Sequence, residues 1–573
     1  MSDSDSNGTT STENPCVPAR PKGRGKGRRQ TGHMPKSSAK AKAAKSSKSL
    51  KAQMSQMKKQ SCQSLKPSFV PEDQCDSTET SESEESKRIQ MAEKAWNTKK
   101  SGNKIMERSD DDIQNLTFDC INQGRPKTSS LGDVVSWLLE NVVTQDEMQR
   151  VTDASEGFTC KIGEFCAGMA TGSFCSKIIS DVIFQMCGNR ISLDTVLVSE
   201  MVKWKMDVCK TVCHACGDTP KFVCRTGDEA KEAIPVTCQW VVAAIECDDI
   251  SSCSTTPKSV LDESGKSGRS FIELLQYIEK VSPRPKVIML ECVSGLMKNR
   301  QSVGEKGTQV VTEKLEMLGY VGSWRTLNSL HFFVPHSRTR AYGCFLYVSS
   351  FDDALKLQSM TMLEAIWKFV GRCQSNSPES LETLLLRSGL MDSSNVEAKK
   401  RKTLPNPSTV DSKWKKEHAD FREKHHLQSD DNLSDVAKQI LLDVGSFVLP
   451  LTPREAELSA LGVTKTLLEN PGCRVMVGDI GNSIRFCKFR HQVHPCLLPS
   501  EKYLYVLNGK AVLNNHSSLV PFALQSFGKN EVLKMGLEDL PLKQARDLCG
   551  NSFTGSVAAS LMLAILIEYF LKQ

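Results

Sequence analysis

The stretch KIGEFCAGMATGSFCSKIISDVIFQM, residues 161–186, decides the fold. IGEFCA reads as a short strand, FCSKIISDVIFQM places apolar residues at helical spacing, and Gly168 and Gly172 lie in the turn between them. The alternation continues downstream. DTVLVSE reads as a strand, MVKWKMDVCKTVCHAC as a helix, CQWVVAAIE as a buried strand and SFIELLQYIEKV as a helix. KVIMLECV follows as a strand, VTEKLEMLGYV as a helix and RAYGCFLYVS as a strand. Strands separated by helices of this length need right-handed crossovers, so the expected fold is doubly wound α/β, a mostly parallel sheet covered on both faces. SLGDVVSWLLENVV, residues 130–143, has helical periodicity and is the expected start of the folded region.

The 573 residues exceed one typical domain. Residues 1–60 hold 14 Lys and Arg against 3 acids, a net +11 that exceeds the +7 of the whole chain, so the remainder is net acidic. Basic character is thus concentrated in a tail. Residues 1–128, rich in Ser, Lys and Gly and including the acidic STETSESEES, cannot bury enough apolar surface to offset chain entropy, and disorder is expected there. Within them RPKGRGKGRR, residues 20–29, suits an arm whose Arg side chains enter a minor groove. A solvated tail or a nuclear-import signal is the equal alternative. The 22 cysteines show no paired spacing and the N-terminus has no export-type apolar stretch, so free thiols in a reducing compartment are expected. VAASLMLAILIEYFL, residues 557–571, is short for a membrane span and carries Glu568; a buried helix is expected, and no membrane association. The expected organisation is a catalytic domain at 129–390, a charged linker at 391–444, a small second lobe at 445–535 and a returning C-terminal segment at 536–573. In LTPREAELSALG, Thr452, Pro453 and Glu455 predict a capping box at a helix start.

Ligands of an open parallel sheet sit at the carboxyl ends of its strands. FCAGMATG (residues 165–172) occupies the first such end, and Glu200, at the tip of DTVLVSE, is placed to accept hydrogen bonds from both ribose hydroxyls of a nucleoside cofactor. ECDDIS (246–251), MLECVSGL (289–296) and VPHSRTR (334–340) follow at later strand ends, and RDLCGNSFTG (546–555) closes the series. In this order the blocks resemble the motifs of the cytosine-C5 methyltransferases, well over residues 150–350 and the C-terminal segment, poorly between them. The resemblance implies methyl transfer from S-adenosylmethionine to C5 of a cytosine flipped out of DNA, and therefore a nuclear protein. It assigns Phe165, Gly168, Met169, Glu200, Asn551 and Ser552 to the cofactor. It assigns Cys247 as the nucleophile that adds to C6, Glu291 as the acid at ring N3, and Arg338 and Arg340 as the charges that stabilise the adduct. A thiolate suits the first role because it adds strongly and leaves again.

Several positions depart from the family's pattern: Ala170 for a second Gly, Glu246 for Pro or a small residue before the nucleophile, Gln239 and Ala244 for the acid and Gly that flank that strand, Cys292 for Asn after the acid, and His336 for Gln in the arginine block. Cys224 or Arg225 stands where an acid for the adenine amine is expected, with Asp228 nearby. Three acids beside Cys247 are expected to raise its pKa. A member that keeps the fold without turnover, and an RNA cytosine methyltransferase, both remain open. Cys209, Cys213, His214, Cys216 and Cys224 are crowded, but the first three cysteines fall at helical spacing and read as core residues; no metal site is assigned.

Overall fold

The computed structural model describes residues 130–390 and 411–572, with short gaps at 155–156, 189, 252–253, 255, 299–305, 349–352, 376–377, 444–450, 486–488, 499–501 and 514–516. The basic tail and the first part of the charged linker lie outside the described residues. A seven-stranded sheet is built from β1 (Thr159–Phe165), β2 (Ser192–Ser199), β3 (Lys221–Val223), β4 (Trp240–Ala244), β5 (Val287–Val293), β6 (Tyr320–Asn328) and β7 (Thr339–Tyr347). Their order is β3-β2-β1-β4-β5-β7-β6. The first five strands pair parallel, and β7 runs antiparallel to both β5 and β6. Helices α1 (Leu131–Asn141), α2 (Thr171–Cys187), α3 (Lys203–Cys216), α4 (Lys266–Lys280) and α5 (Gly307–Met317) accompany it. The doubly wound α/β expectation is met. The chain runs outward from β1 to β3, then returns to lay β4 on the other side of β1, which leaves a crevice at the switch point.

β6 was not anticipated: its YVGSWRTLN interrupts strand-forming residues with Gly322, and its first residues read as the end of α5. Gly322 is required because a Cβ there would overlap the Phe345 ring of β7. The segment expected to be a charged linker also contains helices, α6 (Asp411–Lys424) and α7 (Asp435–Leu442). Their cores are few residues: His418, Ala437 and Ile440 are buried, and Phe421 packs on the same cluster. Arg422 and His418 meet Glu457 at 3.1 and 3.4 Å, so tertiary pairing supports a helix that composition alone disfavours. Glu457 belongs to α8 (Pro453–Glu469), which starts with the expected capping box of Thr452 and Glu455 and with Pro453 inside its first turn. α8 packs on an antiparallel sheet of β8 (Val475–Asp479), β9 (Phe489–His491), β10 (Tyr503–Leu507) and β11 (Lys510–Leu513), in the order β11-β10-β8-β9. At the C-terminus, α9 (Leu542–Asn551) leads to α10 (Gly555–Ile565), which packs against α2 and α1. The run Leu542–Phe570 is long and apolar enough to cross a membrane, but its most apolar window is wholly buried inside the protein.

The turn after β1 is held by carboxylates. Glu164, fully buried, accepts hydrogen bonds from Gly172 N (2.9 Å), Ser173 N (2.8 Å) and Ser173 Oγ (2.7 Å). It thereby satisfies the amides that open α2, whose N-cap Ala170 contributes no side-chain bond. Ala170 has φ of 58°, in the left-handed region where a Cβ is strained. Ala170→Gly relieves that strain but removes a methyl buried in the core and adds unfolded-chain entropy, so these opposing effects of about 1 kcal/mol are expected to leave the urea midpoint nearly unchanged.

Candidate active site at the carboxyl edge of the sheet

The register puts the strand tips on one edge. Phe165 pairs with Ser199 on one side and with Ala243 on the other, and Ala244 pairs with Glu291, so Glu200, Cys247 and Glu291 leave the sheet at neighbouring points. On the cofactor side, Glu200 is 5% exposed and accepts from Gly168 N at 2.9 Å and from Val202 N at 2.8 Å. Each carboxylate oxygen keeps a lone pair for a further donor. Gly168 has φ of 60°, and its carbonyl oxygen lies 3.4 Å from Cys209 Sγ. Beside this turn lies a shallow cleft lined by Ser199, Glu200, Met201, Arg225, Glu246 and Glu273 among others.

The third-strand position is occupied by Arg225, which pairs with Glu273 of α4. Glu273 also accepts from Gly227 N at 3.2 Å. The acid in this corner thus comes from the next helix, and Asp228 does not line the cleft. Of the other residues assigned to the cofactor, Ser552 is buried and lies 3.7 Å from where a Gly168 Cβ would be. Phe165 is buried with its ring 4.9 Å from that of Tyr277, Met169 is packed in the core, and exposed Asn551 bonds back to Asp547. None of these three lines the cleft.

On the chemical side, Cys247 is half-buried, and Ile250 N and Ser251 N donate to its carbonyl at 3.0 and 2.7 Å, closing a tight turn. Burial pushes its thiol up to about 11, with Glu291 adding to the shift and Arg340 opposing it. The flanking acids contribute less than expected. Asp248 pairs with Lys266 at 2.7 Å, and Asp249 Oδ2 accepts from Ser267 N at 2.9 Å in the first turn of α4.

Glu291 is 5% exposed, and burial raises its carboxyl pKa against the pull of Arg340 and Arg338. In the antiparallel register Glu291 faces Tyr342, so Arg340, two residues along β7, is its diagonal neighbour on the same face. Arg340 Nε lies 3.3 Å from Glu291 Oε1, an oxygen with no hydrogen-bond partner among the described residues. Arg338, 3% exposed, donates from Nη1 to Gly550 O (2.9 Å) and from Nη2 to Ser552 O (2.7 Å). It fastens the C-terminal block beside the turn that Gly168 forms.

His336 is fully buried, and burial followed by the charge of Arg338 holds its pKa well below the usual range. The neutral ring accepts from Leu497 N at Nε2 (3.1 Å) and donates from Nδ1 to Leu524 O (3.0 Å), which fixes the tautomer. Its backbone bridges to His494, with Ser337 N donating to His494 O at 2.9 Å and His494 N to Pro335 O at 2.7 Å. These bonds bring Cys496 to the arginines, its Sγ 3.9 Å from Arg338 Nη1 and 3.7 Å from Arg340 Nη2. Cys496, Glu164 and Glu273 were not singled out from sequence. Only Glu164, an acid inside an otherwise apolar strand, carries a local signal.

The C-5 cytosine-specific DNA methylase family profile matches residues 183–432, a span that includes Cys247, Glu291, Arg338 and Arg340. The DNA (cytosine-5-)-methyltransferase DMT5 of Cryptococcus neoformans var. grubii is 23% identical over 355 residues, covering 58% of this chain. The chain spans about 14% of the length of that curated relative. Among solved structures, Dnmt2 methyltransferase of S. pombe aligns at 11% identity and a TM-score of 0.34, over 71% of this chain and 98% of its own. The Entamoeba histolytica methyltransferase EhMeth aligns at 11% and 0.34, over 72% and 98%.

Arg338→Met would leave the Gly550 and Ser552 carbonyls without donors in a buried setting. A loss of roughly 3 kcal/mol in urea unfolding is expected. Arg340→Met should cost less, because its short backbone bond goes to its own neighbour, Thr339 O at 2.9 Å.

Proposed function

We propose that the chain is a divergent member of the cytosine-C5 methyltransferase family and that it transfers a methyl group from S-adenosylmethionine to C5 of cytosine in DNA through a Cys247 adduct. A nuclear location goes with that substrate. The observation that carries the reading is the adjacency, through Arg340, of a thiol, a buried carboxyl with an oxygen that has no hydrogen-bond partner among the described residues, and a fixed guanidinium, near the cleft that Glu200 lines.

The cofactor fits the chain on one feature that is independent of the family: Glu200 is buried at the cleft, already fixed by two backbone amides, with acceptor capacity left for two ribose hydroxyls. When bound, S-adenosylmethionine supplies an electrophilic methyl group and a positive sulfonium. Glu200 would hold the ribose, and Met201 and Ser199 would wall the nucleoside. The corner occupied by the Arg225–Glu273 pair offers a carboxylate for the adenine amine only where Glu273 is shared with it.

The residues then divide the chemistry. The Cys247 thiolate adds to C6 of the flipped base, and the bond electrons move toward N3, where the protonated Glu291 carboxyl donates a hydrogen bond. Arg340 stabilises the negative charge that develops on the ring. After methylation at C5, loss of the C5 proton expels Cys247 as thiolate and restores the aromatic ring. A thiol raised to about 11 is poorly ionised at neutral pH, so the free protein is a slow nucleophile unless a nearby positive charge lowers that value.

That same property favours a second reading, a cofactor-binding protein without turnover. Tritiated methyl transfer to duplex DNA, with an RNA oligonucleotide as competitor, tests the first reading. Calorimetry with S-adenosylmethionine separates the two, since binding without turnover is the signature of the second. Cys247→Ser should abolish transfer while leaving cofactor binding intact, and Glu291→Gln should lower kcat by about 10²–10⁴-fold. The sign of the pH dependence follows from the thiol: kcat/KM should climb by about tenfold per pH unit, as the Cys247 thiolate fraction grows, until Glu291 gives up its proton.

A further inference from the structure

Two guanidiniums, the buried Arg338 and the half-buried Arg340, lie side by side, and one carboxylate, Glu291, faces them. The chemistry above requires that carboxyl to be protonated, which would leave a buried and a half-buried cation without a carboxylate counter-ion among the described residues. Cys496 is the remaining candidate on the opposite wall. Its Sγ lies within 3.9 Å of Arg338 Nη1 and 3.7 Å of Arg340 Nη2, donors that suit a thiolate acceptor. As a neutral thiol it would instead donate to Leu497 O at 3.6 Å. Its place is built rather than incidental. Tyr503 Oη donates to Cys496 O at 3.0 Å, and His336 holds the next amide, Leu497 N, at 3.1 Å. The nine-tenths buried Glu291 adds an independent sign that the cluster awaits a donor, because Oε1 has no hydrogen-bond partner among the described residues and faces the same guanidinium.

Resting on the cytosine-methyltransferase reading, we propose that Cys496 is a positioning residue of the site: its thiolate is the counter-ion that holds Arg338 and Arg340 and leaves the Glu291 carboxyl free to keep its proton. The charges that face this cluster come from three other elements. Arg338 immediately precedes β7 and Arg340 lies at its start, Glu291 is on β5, and Cys247 is on the loop after β4, with Tyr342 beside Glu291. His336 and His494 are held neutral by burial and add no charge. The electrostatics agree in direction. Burial raises the Cys496 pKa, but Arg340 and Arg338 together outweigh it and leave the thiol below its ordinary value, and the Cys496 charge in turn adds to the upward shift of Glu291.

Loss of the thiolate leaves both guanidiniums acting on Glu291, which then ionises at lower pH. The activity that needs its proton fails earlier as pH rises. In Cys496→Ser the alkaline limb of kcat/KM should move down by about one pH unit, a roughly tenfold loss on that limb. Cys496→Asp, which restores an anion, should return the limb to its wild-type position, an effect that a purely structural role would not produce. Independently of turnover, the ultraviolet thiolate absorbance of the full chain at pH 7 should exceed that of Cys496→Ser by one thiolate. Equal absorbance overturns the proposal, as does an alkaline limb that is the same in wild type, Cys496→Ser and Cys496→Asp. Absence of methyl transfer by the wild type would instead count against the methyltransferase reading, and the absorbance comparison would still decide the state of Cys496.

Discussion

A buried and a half-buried guanidinium, Arg338 and Arg340, need partners, and meeting that need draws the distant parts of this chain together. Arg338 binds the carbonyls of Gly550 and Ser552, which fixes the C-terminal segment beside the first strand's turn. Arg340 reaches Glu291 on β5 and, with Arg338, Cys496 in the second lobe. A guanidinium cannot shed its charge to escape burial, so each of these partners is held by the cost of leaving a cation unpaired. The pair thus joins three segments that are far apart in sequence.

Carboxylates do the complementary work at the other end of the crevice. Glu164 takes the amides at the start of α2, and Glu200 takes those of Gly168 and Val202. The turn they shape has positive φ at Cys166, Gly168 and Ala170, a backbone that only such fixed acceptors make affordable. Sheet register supplies the rest. Parallel pairing of β1, β4 and β5 brings their carboxyl ends level, and the antiparallel entry of β7 sets Arg340 diagonal to Glu291. Fold and site are therefore one arrangement, read at the strand ends.

Much of this was legible because strand ends follow glycine turns and helical periodicity in sequence. The strand and helix alternation, the capping box at Thr452 and the buried final helix could all be read locally. β6 escaped because its strand residues are interrupted by a glycine that makes room for Phe345, a partner on another strand. The helix Asp411–Lys424 escaped because its charges are matched by Glu457, outside the segment itself. Cys496 and Glu273 escaped for the same reason. Nothing beside them in sequence marks them, and their neighbours arrive through the His336–His494 bridge and through the packing of α4 on the cleft. Long-range pairing, not local pattern, decides such residues.

The most direct measurement of the account uses duplex DNA in which the target cytosine carries fluorine at C5, so that the final proton loss is blocked and an adduct is trapped. With S-adenosylmethionine present, a covalent protein–DNA complex whose peptide map places the bond on Cys247 is expected. No complex, or a bond mapped to Cys496 or another cysteine, would contradict it.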